Sequence, residues 1–405
     1  MAARRPAATL RLRQNDLDGM LMMNWERVCV GDVAVMKRGK YVTQKDTRLG
    51  NIPVILGGQE PAYYCDESNH DGPCVVISRS GASAGFVSYW DEPIFVTDGF
   101  LFEANERCDI RFLYYCLKSN QSVLGGMQNG SGIPHVQGTA LKEFPISLPP
   151  LPEQRKIANE LTAIDRKIAL NRKRIATLEA MAKEIYDYWF VQFDFPDAHG
   201  HPYKSSGGAM VYNPDLKREI PKEWEVVKLS RMADFLFGYP FDSSRFNSNG
   251  EGRRIVRIRN VKDGYSNDFT TEDAPSEYII RNGDLLIGMD GYFDMNIWVG
   301  GDAYLVQRSC RVKAKDSIYQ GYVRRFIAPP IKQLEKTLLG ATVAHLGKTH
   351  LDDIDIIVPP KDVRAFQMLN DLDASIVQQG LEAAKLSALR DFLLPVLMNG
   401  QVKVG

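Results

Sequence analysis

Between Ile157 and Ile185 the apolar positions keep a helical rhythm. Ile157, Leu161, Ile164, Ile168, Asn171, Ile175, Leu178, Ala182 and Ile185 alternate steps of four and three. That spacing predicts one long helix carrying a coiled-coil seam of about four heptads. The rhythm returns at Leu369, Leu372, Ile376, Gln379, Ala383, Leu386 and Leu393, with Leu389 or Arg390 between the last two. A second helix of matching length is expected. Asn171 stands at the midpoint of the first seam and Gln379 at that of the second. A polar residue in an apolar seam costs stability unless it finds a partner, and its best-attested use is to fix register. The two are expected to face each other; the alternative is that one or both lie at the seam edge in solvent. Their central placement fits parallel and antiparallel pairing alike, but a short return path favours antiparallel helices.

Elsewhere the period shortens toward two, in brief apolar runs such as CVVIS (Cys74–Ser78) and DLLIG (Asp284–Gly288). GSGIPHVQGTALKEFPISLPP (Gly130–Pro150) aligns without a gap on GATVAHLGKTHLDDIDIIVPP (Gly340–Pro360), at a constant offset of 210. His135/His345, Thr139/Thr349, Leu141/Leu351 and Ile146/Ile356 are identical, and the same offset pairs Gly81 with Gly291. Upstream the register slips, with NWERVCVGDVA matching EWEVVKLSRMA through Trp25/Trp224. Two copies of one domain follow. The expected fold class is α+β: two tandem mixed α/β domains separated by two long helices that form an antiparallel coiled coil. Residues 1–24 read as a loose tail, 25–151 as the first domain, 152–190 as the first helix, and 191–222 as a connector. Residues 223–360 make the second domain and 361–405 the second helix and C-terminus. Trp189, Phe190, Phe193 and Phe195, at the start of the connector, are expected to pack against the helices.

Composition narrows the chemistry. A chain of 405 residues has room for two to four domains, and 44% apolar residues can give each a core. Fifty Lys plus Arg against fifty Asp plus Glu leave no global positive field, so any contact with a polyanion must come from local clusters. The six cysteines form no C-x-x-C pair, which fits neither a zinc cage nor a disulfide framework; they read as cytosolic thiols. With no secretory signal and no run of about 18 apolar residues, a cytoplasmic protein is expected. H-E-x-x-H, G-x-S-x-G and strand-linked G-x-G-x-x-G are all absent, so no catalytic, cofactor-binding or metal-binding residue is assigned. GATVAHLGKT (Gly340–Thr349) fails as a phosphate loop, because six residues rather than four separate its glycines. His135 and His345, repeat-equivalent, are read as satisfied structural residues.

Positive charge is concentrated locally. MKRGKYVTQKDTR carries Lys37, Arg38 and Lys40, and GRRIVRIRNVKDG carries Arg253, Arg254, Arg257 and Arg259. If the latter is a strand, Arg253, Arg257 and Arg259 share one face with Ile255, and Val256 and Ile258 lie on the other. Such a stripe suits phosphate or guanine contact; the alternative is a solvated surface with acidic neighbours. SRSGASAG offers Ser78, Arg79 and Ser80 on a glycine-flanked loop, and GMQNGSG offers Gln128 and Asn129, which can pair bidentately with adenine. Each loop is also an ordinary turn.

LKEFPISLPPLPEQRKIANEL from Leu141, the preceding GSGIPHVQGT, VVISRSG, the connector WFVQFDFP…LKREIPKEW and LRDFLLPVLMNGQV from Leu389 resemble, as a set, the specificity subunit of Type I restriction-modification enzymes. The resemblance covers nearly all of the chain from Trp25. It implies two target-recognition domains, each reading one half of a split double-stranded DNA site, on helices that dock two methyltransferase subunits, with motor-nuclease subunits completing the enzyme. No cofactor is expected on this chain; S-adenosylmethionine, ATP and Mg are expected on the partners. By position, Arg79 is the family-like DNA contact. Met289 and Asp290 stand where Arg79 and Ser80 stand in the first copy, so a phosphate contact is not expected there. VPPKDVRAF lacks the full PPLPEQ pattern. The rivals are an autonomous nuclease or methyltransferase and a coiled-coil adaptor without DNA specificity.

Overall fold

A computed structural model describes residues 25–128, 134–338, 344–360 and 364–402. The tail 1–24 and the candidate Asn129 lie outside the described residues, as do residues 339–343 of the rejected phosphate-loop stretch. The chain divides into two compact units, Met1–Arg166 with Ser387–Gly405, and Lys167–Leu386. Both divisions fall inside the long helices, so each copy of the repeat carries its own share of helix.

In the first unit the strand Glu26–Cys29 pairs antiparallel with Pro145–Leu148, Val28 opposite Ile146, so the copy closes where it opens. Its core sheet runs Ala34–Arg38, Gly99–Ala104, Cys74–Ser78, Val87–Trp90, all antiparallel. All five residues of CVVIS are buried, which is why that run is continuously apolar instead of alternating. The helix Ile110–Ser119 starts at Asp109, whose carboxylate accepts from the amides of Arg111 and Phe112. It buries Phe112, Leu113 and Cys116 in a core shared with Ile157, Leu161, Leu394 and Leu397 from the long helices.

The second unit repeats the plan. Glu225–Lys228 pairs with Asp355–Val358, and the core sheet runs Ala233–Phe237, Ser309–Ala314, Leu285–Gly288, Met295–Ile297, the same strand order as before. The copies diverge in their small sheets, three-stranded in the first and five-stranded in the second. The connector aromatics pack as expected: Phe190 stacks on Phe366 at 5.5 Å, and Phe193 meets Trp224 edge-on at 5.4 Å.

The long helices span Leu151–Tyr186 and Arg364–Met398, the first ending in a π-helical turn, Asp187–Val191. Ile157, Leu161, Ile168, Asn171 and Ala182 are buried, as are Leu369, Ile376 and Ala383. Leu389 is 45% exposed, so Arg390 takes the contested seam position and donates to Asp165 at 3.0 Å inside the first unit. Within the second unit Lys167 and Asn171 reach Glu382, and Glu179 and Asp373 share Arg324, so numbers rise on one helix as they fall on the other. The pairing is antiparallel.

The expected partnership of Asn171 with Gln379 is not made. Asn171 Nδ2 donates to Glu382 Oε2 at 3.0 Å, while Asn171 Oδ1 and Gln379 Oε1 are buried without partners among the described residues. Glu382, three residues beyond Gln379, takes the Asn171 amide instead. Lys167, with help from Asn171, holds the Glu382 carboxyl below its usual range. Asn171→Leu removes an orphaned buried oxygen and leaves Glu382 its lysine. It is expected to add about 1–2 kcal/mol, read as a higher urea midpoint. A lower midpoint would mean that the Asn171–Glu382 bond outweighs the orphan.

Candidate nucleic-acid interface

Gly81 and Gly291 follow the central strands at φ +82° and +70°, a conformation that side chains disfavour, and each reverses the chain into a loop. The loop is then tied to the segment before the closing strand. Ser80 bridges His135 and Asp290 bridges His345. Gly81 donates to the Pro134 carbonyl and Gly291 to that of Ala344, each at 3.0 Å. A third tie joins the loop to the turn entering the next strand, from Arg79 N to the Asp98 carbonyl and from Met289 N to that of Arg308. The offset of 210 between the two sequences therefore recurs in the backbone hydrogen bonds.

Polar residues on or just after the following helices bond to these loops. In the first copy Gln121 accepts from Val87 N and donates to the Gly85 carbonyl, and Gln128 Nε2 donates to the Ala84 carbonyl at 2.8 Å. In the second, Glu335, 4% exposed, accepts from Phe293 N at 2.8 Å. Gln128 is thus engaged in supporting the loop, which leaves its amide nitrogen committed to protein.

The side chains differ between copies. Arg79 Nε lies 3.3 Å from Asp98 Oδ1, and Ser80 Oγ bonds the other oxygen of the same carboxylate. Ser78, 2% exposed, donates inward to the Gly58 carbonyl; the central strand ends there, so this hydroxyl does not face solvent as its loop position suggested. In the second copy Asp290 takes the place of Ser80 and Arg308 that of Asp98. Arg308 Nη1 sits 3.2 Å from Asp290 Oδ2, and His345 Nδ1 is 2.6 Å from Asp290 Oδ1. His345 is 59% exposed at its side chain and His135 is exposed too, so these histidines belong to the surface.

The arginine stripe is only partly a strand. Arg253–Val256 is extended, but Asn260 Oδ1 accepts from Arg257 N at 2.9 Å and starts a helical turn, Ile258–Val261. Ile255 and Val256 are both fully buried, so the segment is covered on both faces and alternation does not apply. Arg259 is bound by both oxygens of Asp268, and Arg254 lies over Phe269 at 4.9 Å. Arg253 and Arg257 rest on Tyr304 and Phe246 and have no carboxylate partner among the described residues. In the first copy Arg38 and Lys40 are exposed, while Lys37 is paired to Glu103 at 2.7 Å. The two basic clusters lie on different strands of the repeat, the first at the end of a core strand and the second in the small sheet. They are not two versions of one site.

All six cysteines are free, and burial pushes Cys74, Cys108, Cys116 and Cys310 up to about 12. Among the described residues no three His, Cys, Asp or Glu side chains converge as metal ligands, and no helix is long and apolar enough to cross a membrane.

Against known proteins, the family model for the type I restriction modification DNA specificity domain matches residues 22–180 and again 221–386. The chain belongs to that family and carries two copies of its recognition domain. The type I restriction enzyme MjaIX specificity subunit of Methanocaldococcus jannaschii is 25% identical over 344 residues, 81% of this chain and 78% of the relative. The MjaVIII specificity subunit of the same organism is 26% identical over 407 residues, 88% and 92% of the two chains. The crystal structure of the type I restriction-modification S subunit from M. genitalium shares the fold at a TM-score of 0.62 and 18% identity, covering 96% of this chain and 98% of that one.

Proposed function

We propose that this chain selects the DNA sequence for a type I restriction-modification complex in the cytoplasm, reading a bipartite double-stranded target with one half-site per recognition domain. The recurrence of one hydrogen-bonded loop frame in both copies, bearing Arg79, Ser80 and Asp98 in one and Met289, Asp290 and Arg308 in the other, supports this reading. A common frame with different polar faces is what reading two unlike half-sites requires. Lys40, Arg253 and Arg257 supply sequence-independent attraction to phosphate. The long helices dock two methyltransferase subunits. Methyl transfer from S-adenosylmethionine and ATP- and Mg-dependent cleavage belong to those and to motor-nuclease subunits, and this chain is not itself an enzyme.

The test is to map modified bases in DNA from cells that express the chain with its methyltransferase partner. Two specific segments are expected, their centres on the order of 10–13 base pairs apart, from a seam of about 29 residues at 1.5 Å each. A single uninterrupted motif would defeat the one-domain, one-half reading. Absence of any motif would favour an adaptor without DNA specificity.

A further inference from the structure

Arg308 opens a basic stretch, RSCRVKAK, outside the clusters singled out above. It is nonetheless an unusual residue. Its backbone lies at φ +70°, in the left-handed region that glycine and asparagine adopt readily and arginine rarely does. Its side chain is 67% exposed, so packing does not explain an arginine at this turn. An arginine at a turn its backbone disfavours, with its side chain in solvent, directs attention to what that side chain meets.

Its place in the repeat indicates what that is. Met289 N donates to the Arg308 carbonyl as Arg79 N donates to that of Asp98, so Arg308 and Asp98 occupy one structural position. In the first copy the base is on the glycine loop and the acid on the turn; in the second the acid, Asp290, is on the loop and the base on the turn. The ion pair has been transposed. The second copy keeps an exposed guanidinium at this end of its core sheet, displaced from one loop to the neighbouring one. A single contact, Nη1 to Asp290 Oδ2 at 3.2 Å, restricts its rotamers and leaves its other N–H donors without a carboxylate partner among the described residues. Tyr292, on the same loop as Asp290, is 70% exposed.

We propose that Arg308 is a base-reading residue of the second recognition domain, its guanidinium recognising a guanine edge in the major groove with Asp290 as its positioning partner. This rests on the DNA-recognition reading above. In that arrangement the two domains read with the same chemical group from different points of one frame, and so differ in sequence preference without differing in fold.

Arg308→Gly separates this role from a structural one. The full chain, assembled with its methyltransferase partner, is used to select from a randomised duplex library, and thermal midpoints are measured in parallel. Arg308→Gly is expected to lose about tenfold discrimination at a base pair in one half-site, leave the other half-site intact, and keep or raise the midpoint because glycine relieves the turn. Arg308→Asn, which also tolerates positive φ, should behave alike and guards against a variant that fails to fold. Unchanged discrimination in both half-sites would overturn the proposal. So would a uniform loss of affinity with a shallower salt dependence, which would make Arg308 a phosphate anchor. A lowered midpoint without a change in motif would reduce the Arg308–Asp290 pair to structural support. A wild-type complex that selects no sequence at all would defeat the functional reading itself.

Discussion

Replacing residues 25–150 by the corresponding segment of another specificity subunit should exchange one half of the recognised DNA sequence and leave the other half unchanged. The cut points suit the experiment because Glu26–Cys29 and Pro145–Leu148 are hydrogen-bonded to each other, so a closed sheet is transferred whole. One tie at the junction with the retained helix is made to backbone atoms of the exchanged segment. Gln154, fully buried, accepts from Asp109 N at 2.8 Å and donates to the carbonyls of Arg107 and Pro149 at 3.0 and 2.8 Å. Any homologous segment supplies those atoms, and this is the physical content of the glutamine in PPLPEQ. Side-chain contacts across the junction depend on the donor, among them Arg111 with Asn159, Tyr115 with Asp165, and the packing of Phe112 and Leu113 in one core with Ile157 and Leu161. A donor lacking them should lower stability without altering specificity. Modified-base mapping reads the outcome: a change in both half-sites would refute independent reading, and no change would place recognition outside the exchanged segment.

Insertion of one heptad into each long helix should lengthen the nonspecific spacer of the target by about three base pairs. Seven residues add roughly 10.5 Å of helix, and each base pair occupies about 3.4 Å. The insertions belong between Asp165 and Lys167 on the first helix and between Glu382 and Arg390 on the second, which preserves the seam because seven residues return the apolar stripe to nearly the same face. An insertion in one helix alone should shift one set of these ion pairs out of register and destabilise the pair. Three base pairs also rotate the duplex by about 100°, so the longer target should be bound more weakly than the original was. Mapping the modified motif decides the matter; a spacer of unchanged length would show that helix length does not measure the target.

The two seams were legible because a coiled-coil helix repeats its buried positions every 3.5 residues on average, and Ile157 through Ile185 keep that spacing with Asn171 the one polar member. Their mutual register was not. Asn171 and Gln379 look matched along the chain, yet the packing of each unit sets Asn171 against Glu382. The arginine segment failed for a related reason. Alternation predicts faces only for a strand with one face in solvent, and Ile255 and Val256 are buried on opposite sides. At the loops, Arg79 could be found from its glycine-flanked motif, whereas Asp98 and Arg308 carry no such motif. Extending the offset of 210 past the aligned glycines would have placed the two opposite each other.

The sequence alone determined the duplication, the two long helices and the family, because each is written in local or periodic terms: an offset, a heptad spacing, a run of adjacent motif residues. Only the tertiary structure decided which polar groups face outward. Ser78 turns inward, Gln128 braces a loop, Arg259 is bound by Asp268, and Arg308 stands exposed beside Asp290. Those outcomes depend on partners between 9 and 44 residues away, brought together only by folding. A side chain's availability to DNA is therefore a property of its neighbours in space.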